Sequence, residues 1–238
     1  REVKTTLLLK SGSLRMKNYL TNKNQKILEI IKEQIETSKL TLLYMPTFNN
    51  KFINSEEEEY SSIEFFLELF NKMKRPFDFN CIIKVHPNVV SSNSSLSRSL
   101  LDLKEENEKE GINIILEAYQ DYLPFMDVAD ALISDRTTAA FEFLYFNKPI
   151  FFLDNTGTCP HKIDFYKDIM SSFWLYQAGN IIRREDLSNI DNILHSFIKQ
   201  DSYKEIRDQC KKFSFEDKYT ASDILKELFE YHSSLFIN

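Results

Sequence analysis

Glycine is scarce in this chain, and its few copies are too dispersed to form a phosphate-binding loop. The 238 residues include 4 glycines, where an average usage of ~7% would give roughly 17. They stand at Gly12, Gly111, Gly157 and Gly179, so the chain contains neither a G-x-G-x-x-G turn nor a G-x-x-x-x-G-K-[ST] loop. Dinucleotide and P-loop sites of the usual kinds are therefore excluded.

Cysteine, long apolar runs and net positive charge are also lacking. The 3 cysteines form no C-x-x-C pair and leave an odd number for disulfides, which indicates a reducing, cytoplasmic setting. Because no apolar stretch reaches the ~18 residues of a membrane span, we expect no span. Because no charged-then-apolar stretch opens the chain, we expect no secretory leader. With 30 Lys and Arg against 36 Asp and Glu, the net charge is −6, so nucleic acid is not expected as a partner.

Short apolar runs alternate with amphipathic stretches along the chain. This pattern predicts an α/β fold, and runs without polar alternation predict strands that are covered on both faces in a mainly parallel sheet. The predicted strands are Leu40 to Met45, Cys81 to Val85, Ile112 to Leu116, Ala131 to Ser134, Ile150 to Leu153 and Asn180 to Arg183. The predicted helices are Asn24 to Glu36, Ser61 to Lys74, Leu96 to Lys109, Tyr122 to Ala129, Thr137 to Phe146, Glu185 to Lys199, Tyr203 to Lys212 and Ala221 to Phe229.

Polar residues follow three of the predicted strands, where ligands bind in an open parallel sheet. Thr47 follows the first strand, His86 and Pro87 follow the second, and Asp135 to Thr138 follow the fourth. Because the carboxyl ends of parallel strands share one edge, we expect these residues to converge there. The sequence therefore predicts an anion pocket sized for a diphosphate.

The segment after Asp135 favours phosphate binding. Thr137 or Thr138 could cap the following helix, whose first N–H groups attract anions. The two hydroxyls would add donors, and Arg136 could pair with phosphate oxygens through two hydrogen bonds. An ordinary helix cap beside a surface arginine is the alternative, because such caps are common.

His86 is the candidate for acid–base chemistry. It follows a predicted buried strand and precedes Pro87, which restricts its backbone. Its imidazole could bind a diphosphate or act as a general acid or base. It could instead be a structural histidine that donates to a neighbouring carbonyl. No pattern in the sequence predicts a metal site.

Five segments of the chain resemble, in order, segments of a known enzyme family. They are GSLRMKNYL (Gly12 to Leu20), LLYMPTF (Leu42 to Phe48), IIKVHP (Ile82 to Pro87), VADALISDRTTAAFEFLYFNKPIFF (Val128 to Phe152) and EDKYTASDIL (Glu216 to Leu225). Together they resemble the C-terminal half of the CDP-glycerol glycerophosphotransferases, the teichoic-acid and capsule polymerases and primases. The K-V-H-P element and the strand-end aspartate followed by N-K-P are the more specific motifs.

The resemblance implies a fold, a division of the chain and an activity. Family members have the two-domain GT-B architecture, so the chain would be its Rossmann-like half, with residues 1–24 as an interdomain segment and 25–238 as the CDP-polyol-binding domain. The implied reaction transfers glycerol phosphate, or a related polyol phosphate, from a CDP-activated donor to a glycan or teichoic acid-like acceptor. It needs no cofactor besides the donor. An N-terminal domain would supply the acceptor contacts and the base, so this chain alone should bind nucleotide and catalyse little.

The resemblance also points to individual residues. In the family, the histidine of the H-P element and the hydroxyl residues after the strand-end aspartate lie around the CDP diphosphate, which corresponds to His86, Thr137 and Thr138. The family commonly has Asp-Tyr-Ser-Ser where this chain has Asp135, Arg136 and two threonines. The hydroxyls are preserved, but the arginine leaves the identity of the donor open.

Two alternatives remain at this stage. A GT-B glycosyltransferase using a UDP-, GDP- or CMP-sugar would need nearly the same groups. A non-catalytic α/β module is the other, although a phosphoaspartate receiver is unlike this chain because Met45, Pro46 and Thr47 offer no acid for Mg²⁺. The resemblance also leaves open a peripheral association with the inner face of the membrane through regions outside the chain.

Overall fold

A parallel sheet of six strands is the framework of the protein. In chain order the strands are β1 (Leu40–Met45), β2 (Phe79–Lys84), β3 (Ile114–Glu117), β4 (Ala131–Ser134), β5 (Ile150–Leu153) and β6 (Asn180–Ile182). All neighbours run parallel, and the order across the sheet is β3-β2-β1-β4-β5-β6. The computed structural model describes residues 13–47, 61–73, 79–91, 95–110, 113–135, 137–155, 157, 173–215 and 221–234.

Helices connect these strands and cover the sheet. The α-helices of the described residues are α1 (Leu14–Thr21), α2 (Gln25–Glu33), α3 (Ile63–Lys72), α4 (Pro87–Ser91), α5 (Ser95–Lys109), α6 (Leu123–Val128), α7 (Thr138–Phe143), α8 (Ile190–Lys199), α9 (Lys204–Ser214) and α10 (Ala221–Ser234). Short 3₁₀ helices span Leu144–Phe146, Phe173–Ala178 and Arg184–Asn189. The α/β class predicted from the sequence is confirmed.

Both faces of the sheet are buried, which explains the uninterrupted apolar runs. Side chains alternate along a strand, so Leu42 and Tyr44 of β1 pack in one hydrophobic cluster with residues of α3, α5 and α8. Leu43 and Met45 pack on the other side, with residues of α2, α6, α7 and α9. A strand that must fill two cores has no polar face, as the sequence indicated.

Strands β1, β4 and β5 have the bounds that the sequence predicts, whereas β2 starts earlier, at Phe79 rather than Cys81. The cause is Asn80, a buried polar residue. Its amide group accepts from the backbone N–H of Glu36 at 2.9 Å and donates to the Glu36 carbonyl at 2.8 Å. Because these partners satisfy it, a residue that interrupts the apolar run can lie inside the sheet.

Other boundaries also differ from the prediction. Strand β3 spans Ile114–Glu117 rather than the predicted Ile112 to Leu116, and β6 ends one residue before the predicted end, at Ile182. The predicted helix from Thr137 ends as an α-helix at Phe143 and continues as a 3₁₀ turn. There the chain reverses at Asn147, which has a left-handed backbone with φ of 49°, a conformation that asparagine tolerates better than most residues.

The segment predicted to join two domains contains helix α1. Ser13 caps this helix, since its hydroxyl oxygen accepts from the backbone N–H of Met16 at 3.2 Å. Met16 is fully buried in the cluster that contains Leu43 of β1. Helix α1 therefore packs into this buried cluster, while the division at residue 24 stays a prediction.

The strand order reverses at β1, whose neighbours are β2 on one side and β4 on the other. Ligands bind beside such a reversal, outside the carboxyl ends of the strands. Among the described residues, none of the helices combines the length and the apolar character needed to cross a bilayer.

Candidate functional site

A cavity of about 690 Å³ lies at the carboxyl edge of the sheet, where the strand order reverses. Its walls come from the segments that follow β1, β2 and β3, from the first turn of α7, and from α1. The described residues that line it are Arg15, Met45, Pro46, Thr47, Lys84, Val85, His86, Pro87, Ala118, Tyr119, Gln120, Asp121, Tyr122, Thr137, Thr138 and Ala139. This volume suits a nucleotide-sized ligand.

Five of the seven residues predicted to bind phosphate line this cavity: Thr47, His86, Pro87, Thr137 and Thr138. Residues predicted from three separate strand ends therefore meet at one place. Their contacts with a ligand stay a prediction.

His86 lies between β2 and the short helix α4. The backbone N–H of Asn88 donates to His86 Nδ1 at 3.2 Å, and that of Val89 donates to the His86 carbonyl at 2.9 Å. In the neutral ring an accepting Nδ1 leaves the proton on Nε2. With Nδ1 accepting, Nε2 is the ring atom through which His86 can donate.

The two threonines of the α7 start differ in what their hydroxyls can do. Thr137 Oγ1 accepts from the backbone N–H of Ala140 at 3.1 Å and lies 3.2 Å from Ser134 Oγ. Because Ser134 donates its own proton to the Met45 carbonyl at 2.5 Å, the Thr137 proton goes to Ser134. Thr137 is therefore a helix cap, and Thr138 is the hydroxyl that can donate into the cavity.

Asp135 is a buried carboxyl and is not among the cavity-lining residues. Its Oδ2 accepts from the backbone N–H of Thr47 at 2.6 Å and from that of Ser62 at 3.4 Å. Its Oδ1 is buried without a hydrogen-bond partner among the described residues. Burial raises the pKa of Asp135 to about 6. The structure thus gives Asp135 the task of fixing the backbone at the cavity wall. Arg136 lies outside the described residues.

Arg15 is a cavity residue that sequence reasoning missed. Its guanidinium stacks over the ring of Tyr122 at 4.3 Å from the ring centre and pairs with Asp121 at 2.6 Å. Tyr122 also bonds to Glu142, which lies 3.5 Å from Arg15. The cap residue Ser13 was the one signal in the sequence that could have placed Arg15 on a helix.

Lys84, the first residue of the K-V-H-P element, was missed as a binding residue because its place inside an apolar run suggested only a strand. It is buried at the end of β2 and lines the cavity. Its Nζ donates to the carbonyl of Ala118 at 2.8 Å. Ala118 belongs to the loop after β3. This loop is fixed by Glu117, whose Oε1 accepts from the backbone N–H groups of Tyr119 at 2.6 Å and Gln120 at 3.0 Å. Within the described ranges, no group of three or more His, Cys, Asp or Glu could hold a metal ion.

Comparison with solved structures shows where this fold occurs. The wall teichoic acid polymerase TagF superposes with a TM-score of 0.54 at 17% identity, over 97% of this chain and 53% of that chain. A TagF variant soaked with CDPG gives 0.52 at 19% identity, over 97% and 52%. A glycosyltransferase from Rickettsia africae gives 0.55 at 13% identity, over 100% and 59%. The chain therefore spans little more than half of these relatives, as one half of a GT-B architecture would.

Sequence comparison identifies the family. No curated protein sequence is significantly similar to the chain. A family profile described as CDP-glycerol:poly(glycerophosphate) glycerophosphotransferase matches residues 1–230. The resemblance drawn from five short segments is thereby confirmed, and the chain belongs to the CDP-glycerol:poly(glycerophosphate) glycerophosphotransferase family.

Proposed function

We propose that the chain is the donor-binding half of a transferase that moves glycerol phosphate, or a related polyol phosphate, from a CDP-activated donor to a glycan or polyol-phosphate acceptor. The observation that carries the proposal is the cavity at the strand-order reversal, which joins His86, Thr138 and Thr47 in one nucleotide-sized space. Family membership supplies the class of reaction. The acceptor contacts would come from a second domain, and the reaction would take place on the cytoplasmic side of the membrane.

The chemistry sets clear demands on such a site. The oxygen of an acceptor hydroxyl attacks the phosphorus of the glycerol phosphate, the P–O bond to CMP breaks, and CMP leaves with the bonding electron pair. The hydroxyl proton passes to a base, which we assign to the second domain. Positioning and neutralisation of the diphosphate charge are the main tasks left to the donor half.

The described residues can perform these tasks. His86 Nε2–H and the Thr138 hydroxyl would donate to phosphate oxygens, and charge-assisted bonds of this kind are among the stronger ones. Thr137, Asp135 and Thr47 would hold the walls in place through the bonds described above. In this proposal His86 binds phosphate, and its further use as an acid is open to test by pH profiles of the complete enzyme.

Thermal unfolding with nucleotides tests the proposal. At 100 times its Kd a ligand stabilises a protein by about 2.7 kcal/mol, which raises the Tm of a domain of this size by roughly 5–10 °C. We expect CDP and CDP-glycerol to give such a rise. We expect His86→Ala to weaken CDP binding about tenfold or more.

A matched control is His195→Ala. His195 packs on the ring of Phe79, with 4.9 Å between ring centres, and does not line the cavity. This variant should therefore keep the full response to CDP. Absence of any shift with cytidine nucleotides at millimolar concentration would contradict the proposal.

A glycosyltransferase that uses a nucleotide sugar is the second candidate, because the structure from Rickettsia africae superposes over the whole chain. Both candidates need a diphosphate site, so the preferred nucleobase of the bound nucleotide separates them. A panel of CDP, UDP, GDP and CMP in the same assay should show a preference for CDP. A clear preference for uridine or guanosine nucleotides would select the glycosyltransferase instead.

A further inference from the structure

Lys84 carries a buried positive charge at the wall of the cavity. The residue is only 6% exposed, and its backbone ends strand β2 two positions before His86. Its Nζ donates to the Ala118 carbonyl at 2.8 Å and to the Val85 carbonyl at 3.5 Å. An ammonium group has three N–H donors and no acceptor, so a third donor remains for a further partner.

No carboxylate within the described ranges lies inside 4.0 Å of this ammonium. Glu117, its neighbour in the strand register, directs Oε1 to the backbone of Tyr119 and Gln120. Burial lowers the pKa of Lys84, and Glu117 and Asp121 offset this only in part. A buried cation whose direct hydrogen-bond partners are carbonyl oxygens is costly, so this site favours an anion from outside the protein.

We propose that the Lys84 ammonium is a phosphate-binding group of the cavity and contacts the diphosphate of the nucleotide donor. This inference rests on the proposed function and adds an ammonium group to the donors His86 and Thr138. The diphosphate would then meet donors on more than one side. These donors are the Lys84 ammonium at the end of β2, and the Thr138 hydroxyl and the His86 imidazole at the rim of the cavity. Positive charge from Lys84 would compensate part of the charge that the ligand brings into the cavity.

Lys148 offers a comparison inside the same protein. Its Nζ also donates to two carbonyl oxygens, those of Asp127 and Ala129, each at 2.6 Å. Burial lowers its pKa as well, and Asp127 and Asp130 act on it as Glu117 and Asp121 act on Lys84, but Lys148 does not line the cavity. Lys148 is a structural lysine, so Lys148→Met is a matched control for Lys84→Met.

Calorimetric titration of CDP, cytidine and inorganic pyrophosphate into the chain tests the inference. We expect Lys84→Met to weaken the binding of CDP and pyrophosphate by about 10- to 100-fold, because a bond to a charged group is lost. Cytidine should bind both proteins equally, since it has no phosphate. Lys84→Arg should retain most of the affinity, and Lys148→Met should leave the affinity for CDP within about twofold of the unchanged chain.

Equal CDP affinity of the unchanged chain and Lys84→Met would overturn the inference and leave the proposed function standing. If the unchanged chain does not bind CDP but binds pyrophosphate through Lys84, the proposed function fails and the anion site stands. Binding of neither probe overturns both.

A second measurement covers the case in which Lys84→Met does not fold. The ammonium signals of ¹⁵N-labelled lysine can be followed by NMR in the unchanged chain, with Lys84→Arg used for assignment. Pyrophosphate should shift the Lys84 signal and leave the Lys148 signal in place. A Lys84 signal that does not move at saturation would refute the contact.

Discussion

Replacing Asp135 by asparagine should remove a specific pH dependence from the stability of the protein. The pKa of the Asp135 carboxyl is about 6 in the folded chain, against an ordinary value of 3.8. The folded state therefore holds a proton that the unfolded state has lost between these values, and stability falls as pH rises through this window. At 1.36 kcal/mol for each unit of pKa difference, the total loss is on the order of 3 kcal/mol, most of it between pH 4 and pH 7.

Asparagine preserves the shape and one oxygen, which can still accept from the N–H groups of Thr47 and Ser62, but it does not titrate. Urea unfolding at pH 4, 5, 6 and 7 and fixed ionic strength should show that the unchanged protein loses stability relative to Asp135→Asn as pH rises. Asp102→Asn, an exposed position on α5, is the control and should run parallel to the unchanged protein. A difference between Asp135→Asn and the unchanged protein that stays constant from pH 4 to pH 7 would refute the reasoning.

Two further predictions concern single side chains. Arg207 is fully buried and pairs with Asp201 through its two Nη nitrogens. Arg207→Met should therefore lower the free energy of unfolding by about 3–5 kcal/mol. Adding Asp201→Asn should recover part of this loss in a double-mutant cycle, and full additivity would contradict the pairing. Thr137→Ala should cost about 1 kcal/mol of stability through the lost cap and change CDP affinity little. Thr138→Ala should lower CDP affinity and change stability little. Urea unfolding and calorimetry separate the two effects, and equal losses of CDP affinity would contradict the assignment of Thr137 as a cap.

The strands were predictable because a strand that is buried on both faces is a nearly continuous apolar run in the sequence. Ile150–Leu153 has no polar residue and Leu40–Met45 has only Thr41, so their bounds follow from composition. Asn80 shows the limit of this method, since its partners in the segment from Glu36 to Thr41 lie about forty residues away. Local pattern cannot reveal that a distant backbone will satisfy a buried amide.

The candidate site was predictable only where function follows from position along a strand. His86 and Thr138 stand at strand ends, and the order of the sheet then brings them to one cavity. Arg15 reaches that cavity through contacts with Asp121, more than a hundred residues away in the chain. In the sequence Lys84 only interrupts an apolar strand. That its side chain lines a cavity depends on the loops beside β2, which local pattern does not reveal. The difference between a capping and a donating threonine depends on one hydroxyl proton, which sequence does not specify.

The carboxyl of Asp135 joins two points of the backbone that border residues 48–60. It accepts from Thr47 on one side of that segment and from Ser62 on the other. One carboxyl oxygen therefore couples the cavity wall at Thr47 to Ser62, the residue that precedes α3. A substitution that removes this oxygen should free both backbone points at once, so the ligand-binding edge and the first turn of α3 should loosen together.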